Sequence, residues 1–181
     1  LKTLSRSLFK PRTGSNLDFA TDMRIQFQTD KFNTQFGYKL IGPGFRSLGL
    51  PSTVNDRKEL YINTSMHLGD HRINANYIRL SNNLLNQKQE TNTRNQLQVG
   101  MNSRMGKWLT NMNANILFMG NDASVDSLRN DFINVILSTQ QSLTFKDAFV
   151  RQLGLQYTFQ HTDKNIRTQK TQAFYHTTNL T

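Results

Sequence analysis

Four histidines are the residues of this chain best suited by type to metal binding. His67 and His71 are four positions apart, a spacing that brings two ligands together on one side of a helix. Here, however, the two histidines flank a predicted tight turn. His161 and His176 have no acidic neighbour at a ligand spacing, and the chain contains no cysteine. The sequence therefore predicts no metal site and no cofactor.

Two aspartates form the other arrangement that could do chemistry. Asp18 and Asp22 lie on the same face of a predicted strand, and Arg24 follows on that face. Paired carboxylates can act as general acid and base, but we favour a charged network that orders water and tunes ion passage. No serine lies in a nucleophile-elbow motif or in a visible pairing with histidine. We therefore predict that the protein is not an enzyme.

A glycine-rich segment from Gly42 to Gly49 is similar in composition to a phosphate-binding loop. It lacks the Gly-Lys-Ser/Thr ending and the helix that should follow. Its glycines suit a tightly folded external loop whose apolar side chains pack onto the sheet or onto a partner. We expect the following residues to form an interaction site: Gly42, Pro43, Gly44, Phe45, Arg46 and Leu48.

Strands must position these residues, because apolar and polar side chains alternate along most of the chain. From Leu17 to Thr29 the alternation is unbroken, which is the period of a β-strand with one apolar and one polar face. The pattern predicts strands at 17–29, 32–41, 59–69, 71–81, 93–104, 107–118, 131–140, 148–161 and 168–180, the last with an ambiguous register. We expect the polar face to line a lumen through Asp18, Asp22, Arg24, Gln26, Asn111, Asn113 and Asn115.

The length and the apolar face of these strands favour a membrane-spanning barrel. The strand at 17–29 is longer than the five or six residues usual in globular proteins, and its length suits a tilted strand that crosses a bilayer. In six of the strands, none of the positions on the apolar side is charged. A charged side chain there would destabilise a membrane-spanning strand by about 2–4 kcal/mol at the bilayer midplane. A soluble sandwich with the same alternation is the alternative. No run of about 18 apolar residues predicts a transmembrane helix.

The predicted connections separate these two folds further. Short links at 30–31, 69–70, 105–107 and 141–147 alternate strictly with longer ones at 42–57, 82–92, 119–130 and 161–167. Outer-membrane barrels have short periplasmic turns and longer extracellular loops, whereas a Greek-key sandwich has no reason to alternate. The sequence thus predicts an all-β, antiparallel up-and-down transmembrane β-barrel, or a section of a larger one.

The number and direction of the predicted strands indicate whether they could form a complete barrel. Nine strands are visible and the first would run inward, whereas single-chain bacterial barrels have an even number and begin at the periplasm. We expect residues 1–181 to form a single β-barrel region that is incomplete at one or both ends, with Leu4 to Lys10 as a candidate for an additional strand. A signal peptide would have been cleaved or lie outside this sequence.

The formal net charge of +10 also needs an interpretation. Many cations lie in or beside the long connections, namely Arg46, Arg57, Lys58, Lys88, Arg94, Arg129, Lys164, Arg167 and Lys170. There they would pair with lipopolysaccharide phosphates or act as solvated loop charges. Nucleic-acid binding would require cations and exposed aromatic residues on one continuous surface. Because the aromatic residues follow the apolar face, we expect no nucleic-acid partner.

The chain resembles outer-membrane β-barrel proteins of Bacteroidota. The resemblance lies in Asn/Gln/Thr-rich strands such as Trp108 to Phe118, in the basic charge and in the Gly-Pro-Gly-Phe-Arg-Ser-Leu-Gly segment. It implies the outer membrane of a Gram-negative bacterium, membrane lipid and other protein subunits as partners, and a structural or transport role in a membrane complex. A stand-alone diffusion porin and a soluble basic β-protein, such as a coat or nucleic-acid-binding domain, are the alternatives.

Overall fold

The protein is described here by a computed structural model that covers residues 19–45, 55–125, 128–145, 152–166 and 169–180. These residues form nine strands and no α-helix. Accordingly, none of the described ranges holds a helix of the length and hydropathy needed to cross a membrane. The strands are β1 (Ala20–Gln28), β2 (Phe32–Ile41), β3 (Arg57–Leu68), β4 (His71–Asn82), β5 (Asn92–Met105), β6 (Trp108–Asn121), β7 (Asn130–Thr144), β8 (Gln152–Ile166) and β9 (Gln169–Leu180).

The strands form one antiparallel sheet in which each strand pairs with its neighbours in sequence. This up-and-down order follows from the tight turns at Gly69 and Gly106, both of which have a positive φ that L side chains rarely adopt. No ladder joins β1 to β9 in the described part of the chain. Among the described residues the sheet is therefore open, with β1 and β9 at its two edges.

All nine predicted strands are present, but the predicted alternation of short and long connections is wrong at the end of the chain. The first six connections follow it, with 29–31, 69–70 and 106–107 short. β7 then continues to Thr144, which leaves 145–151 at the short-turn end, and β8 continues to Ile166, which leaves only 167–168 at the long-loop end. Residues 161–166 pair with β7 through their backbones. Most of their side chains are polar, however, and this polar sequence is what made them resemble a loop.

The register carries each face continuously across the sheet, because residues opposite each other in a ladder share a face. We call one side the apolar face. Its central row consists of Ile25, Phe36, Ile62, Tyr77, Leu97, Ile116, Val135, His161 and Phe174. The pairing also resolves the register of β9, since Phe174 lies on the apolar face and Tyr175 on the opposite, polar face.

The sheet has almost no hydrophobic core of its own. Ile41 is the one buried hydrophobic residue among those described. Ile25 and Phe27 on the apolar face are 61% and 62% exposed. A sheet normally buries its apolar face against a second layer, and the described residues supply none. The described sheet is therefore held together mainly by backbone hydrogen bonds between strands and by contacts between polar side chains.

Candidate functional site: the polar face and its rim

Six amide side chains lie directly opposite one another on the polar face. This amide row consists of Gln26, Gln35, Asn63, Asn76, Gln98 and Asn115, one from each of β1 to β6. Strands about 4.8 Å apart make such a row about 24 Å long. A parallel row beside it contributes Asn33, Ser65, Asn74 and Asn113. The result is a broad neutral surface of hydrogen-bonding groups.

Some amides of this surface bond to each other. Gln26 Nε2 donates to Asn33 Oδ1 at 3.1 Å. Asn63 Nδ2 donates to Gln35 Oε1 at 3.4 Å. These bonds cross from strand to strand, so they hold neighbouring amides in fixed orientations.

Other amides keep their hydrogen-bonding groups free. The side chains of Asn74, Asn76, Gln98, Asn102 and Asn113 form no hydrogen bond with the described residues. Each amide group carries two donors and an acceptor oxygen. This surface therefore offers many unused donors and acceptors on fixed strands.

The polar face curves around a cavity of about 610 Å³. The cavity extends from β1 to β6, and no residue that lines it is charged or aromatic. Such neutrality is notable in a chain with a formal net charge of +10. The cavity suits neutral polar molecules rather than ions.

The predicted lumen residues share this face. Gln26 and Asn115 stand at the two ends of the amide row, and Asn113 lies in the adjacent row. Asn111 also lies on the polar face, nearer the short turns. Asp18 lies outside the described residues. The structure thus brings together residues that are almost ninety positions apart in sequence.

Asp22 and Arg24 form an ion pair on this face, at the long-loop end of β1. Arg24 Nη2 lies 2.8 Å from Asp22 Oδ2, and Arg24 Nε donates to Asp22 Oδ1 at 3.1 Å. The pair is bidentate and open to solvent, with Lys39 opposite Asp22. Because Arg24 occupies both carboxylate oxygens, this site gives no support to a general acid or base.

The rim of the polar face is organised by a buried aspartate. Asp56 is 6% exposed and has a φ of 57°. Its carboxylate accepts the backbone N–H groups of Asn83 at 3.0 Å and Leu84 at 2.7 Å. Lys88 Nζ lies 2.5 Å from the same carboxylate. One side chain therefore holds the β4–β5 connection against the start of β3.

Asn83 continues this network within the β4–β5 connection. It is 6% exposed, has a φ of 59° and donates from Nδ2 to the carbonyl oxygens of Lys88 and Glu90. Its Oδ1 accepts the N–H of Lys88 at 2.9 Å. The amide of Asn83 thus closes the connection onto itself.

The network extends to the next connection through Glu90. Asn121 Nδ2 donates to Glu90 Oε2 at 2.7 Å, and Thr91 N donates to Asp122 Oδ1 at 2.6 Å. Two loops at the long-loop end are thereby tied together by side-chain bonds. We call Asp56, Asn83, Lys88, Glu90 and Asn121 the rim network.

Sequence reasoning missed the rim network. Its signal was the pairing of Asn55 with Asp56 and of Asn82 with Asn83, at the boundaries of long connections. Asn and Asp tolerate a positive φ and hydrogen-bond to nearby backbone groups. Such pairs at strand ends could therefore have been recognised as organisers of the loops.

The predicted loop site is described only from Gly42 to Phe45; Arg46 and Leu48 lie outside the described residues. Gly42 N donates to Phe19 O at 2.9 Å, and Phe45 N donates to Gly42 O at 3.2 Å. A turn at the end of β2 is therefore formed by Gly42, Pro43, Gly44 and Phe45, and it is anchored to Phe19, the residue before β1.

The histidines are placed separately, and the described residues contain no cluster of three or more potential metal ligands. His71 Nδ1 lies 2.7 Å from Ser103 Oγ, across the β4–β5 pair. His176 Nδ1 lies 2.8 Å from Tyr157 Oη, and the ring of His161 stacks on Phe174 at 4.4 Å. Each described contact is with a hydroxyl or an aromatic ring.

No protein-family model matches the chain, and comparison with curated proteins and with solved structures found no match.

Proposed function

We propose that the sheet is a wall of an outer-membrane β-barrel that acts as a structural or transport subunit of a membrane complex in a Gram-negative bacterium. The polar face would border an aqueous lumen and the apolar face would meet lipid. The observation that carries this proposal is the apolar face, which no second layer of the described residues covers. Its central row is uncharged from β1 to β7, and Ile25, Phe36, Leu97 and Ile116 of that row are exposed. Apolar surface of this extent requires an apolar surrounding.

The height of the apolar band supports a bilayer as that surrounding. On β6, the side chains on the apolar face between Trp108 and Phe118 are all uncharged. Those ten residue steps extend about 34 Å along a strand. At the tilt of about 35–45° usual in barrels, they span about 24–28 Å, which matches the apolar band of about 25 Å in outer-membrane barrels. Aromatic residues stand at both ends, as interfacial girdles do.

Cations at the long-loop end support contact with lipopolysaccharide. Lys58 and Arg79 lie on the apolar face of adjacent strands, diagonally across the β3–β4 pair. Neither forms an ion pair within the described residues. At the outer edge of a bilayer these two cations would meet lipid phosphates. By contrast, Arg57 and Lys88 are already paired, with Glu59 and Asp56.

The last two strands support a protein neighbour in place of lipid. The apolar face of β8 and β9 carries His161, Asp163 and His176. Ionisable side chains are costly in a bilayer, so this edge suits contact with another subunit.

The test is to express the full gene product and measure its behaviour in detergent. A membrane barrel is expected to need detergent for extraction and to migrate differently on gels before and after heating. A monomeric product that stays soluble without detergent would contradict the proposal. A soluble dimer that buries the apolar face would contradict it equally.

Native purification then distinguishes the subunit from a stand-alone porin. A stable complex with other proteins supports the subunit. An isolated protein that conducts ions in planar bilayers on its own favours the porin instead.

A further inference from the structure

We propose that the cavity on the polar face binds a neutral, polyhydroxylated chain such as an oligosaccharide. The inference goes beyond the barrel proposal and stands on the polar face alone, so it applies whether this face borders a lumen or bulk water. It starts from the absence of charge: the residues that line the cavity are asparagine, glutamine, serine, threonine, glycine, alanine and one valine.

The hydrogen-bonding groups of the cavity match hydroxyl groups. Each sugar hydroxyl both donates and accepts, and each amide side chain does the same through separate atoms. Asn74, Asn76, Gln98, Asn102 and Asn113 keep these groups unused within the described residues. A polyhydroxylated ligand can satisfy such groups without the desolvation cost that a charged ligand would pay.

The shape of the cavity suits a chain rather than a compact molecule. The amide row crosses six strands in register, over about 24 Å at the usual strand spacing. A volume of about 610 Å³ spread over that length accommodates several linked sugar rings in an extended arrangement. The strand backbones hold the amides in place, which lowers the entropy cost of binding.

The charged groups lie at the margin of this surface. Asp22, Arg24 and Lys39 are at the long-loop end, where the first two pair with each other. Arg72 and Arg104 are on the same face at the short-turn end. None of these five side chains lines the cavity, so a chain that lies along the amide row contacts amides rather than charged groups. We therefore expect the cavity to prefer a neutral chain to an anionic chain of the same length.

The experiment is a titration of the full chain with maltoheptaose, followed by calorimetry or by chemical-shift changes. Saturable binding is expected. Asn76→Leu and Asn113→Leu should each weaken it about fivefold, the effect of losing one hydrogen bond of about 1 kcal/mol. Asn76→Gln should largely restore it. Circular dichroism verifies that each variant keeps the sheet.

The matched control is Gln140→Leu, another replacement of an amide by leucine on the same face, but outside the residues that line the cavity. It should leave the affinity unchanged. The proposal is overturned if maltoheptaose does not bind saturably, if the control weakens binding as much as Asn76→Leu, or if an anionic oligosaccharide of equal length binds as tightly. Binding of an uncharged Gly-Ser peptide in preference to maltoheptaose would also overturn it. A soluble, detergent-free protein that binds maltoheptaose would contradict the barrel proposal and leave this one standing.

Discussion

The ring of Tyr61 lies against the backbone of Gly37, its partner across the β2–β3 pair, and fills the space where any other residue would carry its Cβ. Gly37→Ala should therefore force the ring away and destabilise the protein by about 1–3 kcal/mol, the usual cost of overpacking. Denaturant unfolding measures the loss.

Gly100 provides the matched control for this prediction. A Cβ there would meet the flexible side chain of Asn113, whose Oδ1 is 3.0 Å away, so Gly100→Ala should cost much less. Combining Gly37→Ala with Tyr61→Ala should recover part of the loss, since the two changes share one contact. Strictly additive losses would show that the ring is not what excludes a side chain at position 37.

Asp56→Ala should be among the most destabilising substitutions in the chain. It removes a buried carboxylate from two backbone N–H groups, and charge-assisted bonds of this kind make a total loss of about 3 kcal/mol reasonable. Hydrogen exchange at the amides of Asn83 and Leu84 should accelerate. Lys88→Met is the control: the side chain of Lys88 is half exposed, so the loss of its charge should cost about 1 kcal/mol or less. Equal losses of stability from Asp56→Ala and Lys88→Met would show that the backbone hydrogen bonds of Asp56 are not its main contribution to stability.

Substitutions at Asn83 should show how much of its effect on stability comes from its positive φ and how much from the hydrogen bonds of its side chain. Asn83→Gly removes the amide bonds but tolerates the φ of 59°. Asn83→Ala removes the same bonds and adds the strain of a left-handed conformation, about 1–2 kcal/mol. Alanine should therefore be the more destabilising residue in thermal or denaturant unfolding. An alanine variant as stable as the glycine variant would show that the connection relaxes out of this conformation.

Neighbouring residues of β5 test the membrane proposal directly. Val99 lies on the apolar face and Gln98 on the polar face, and both are exposed. In lipid vesicles, Val99→Arg should destabilise the inserted protein by about 2–4 kcal/mol, whereas Gln98→Arg should have little effect. The measurement is reversible unfolding from vesicles by urea. Equal effects of the two arginines would show that the apolar face does not contact lipid.

Sequence reasoning predicted the strands well because a period of two is visible wherever one face is apolar. The pattern from Trp108 to Phe118 gives both the strand and its faces. It fails where both faces are polar: Thr162 and Lys164 belong to β8 only because their backbones pair with β7. In β4 the apolar Ile78 and Leu80 interrupt the polar side of the sequence pattern, and the register places both on that polar face.

The site was partly visible in the sequence. Alternation placed Gln26 and Asn115 on polar faces, but only the register shows that they belong to one row. Asp56 and Asn83 could not be placed by periodicity, because their role depends on a positive φ and on contacts between connections. Long-range pairing, not local pattern, determines which polar residues meet.

The number of strands restricts how the sheet can close. In an antiparallel meander of nine strands, β1 and β9 run in the same direction. If their free edges paired directly, the seam would be parallel, with slanted and evenly spaced hydrogen bonds. An antiparallel seam instead requires an odd number of further strands between β9 and β1. The nine strands therefore determine whether any additional strands in a closed, fully antiparallel sheet are odd or even in number.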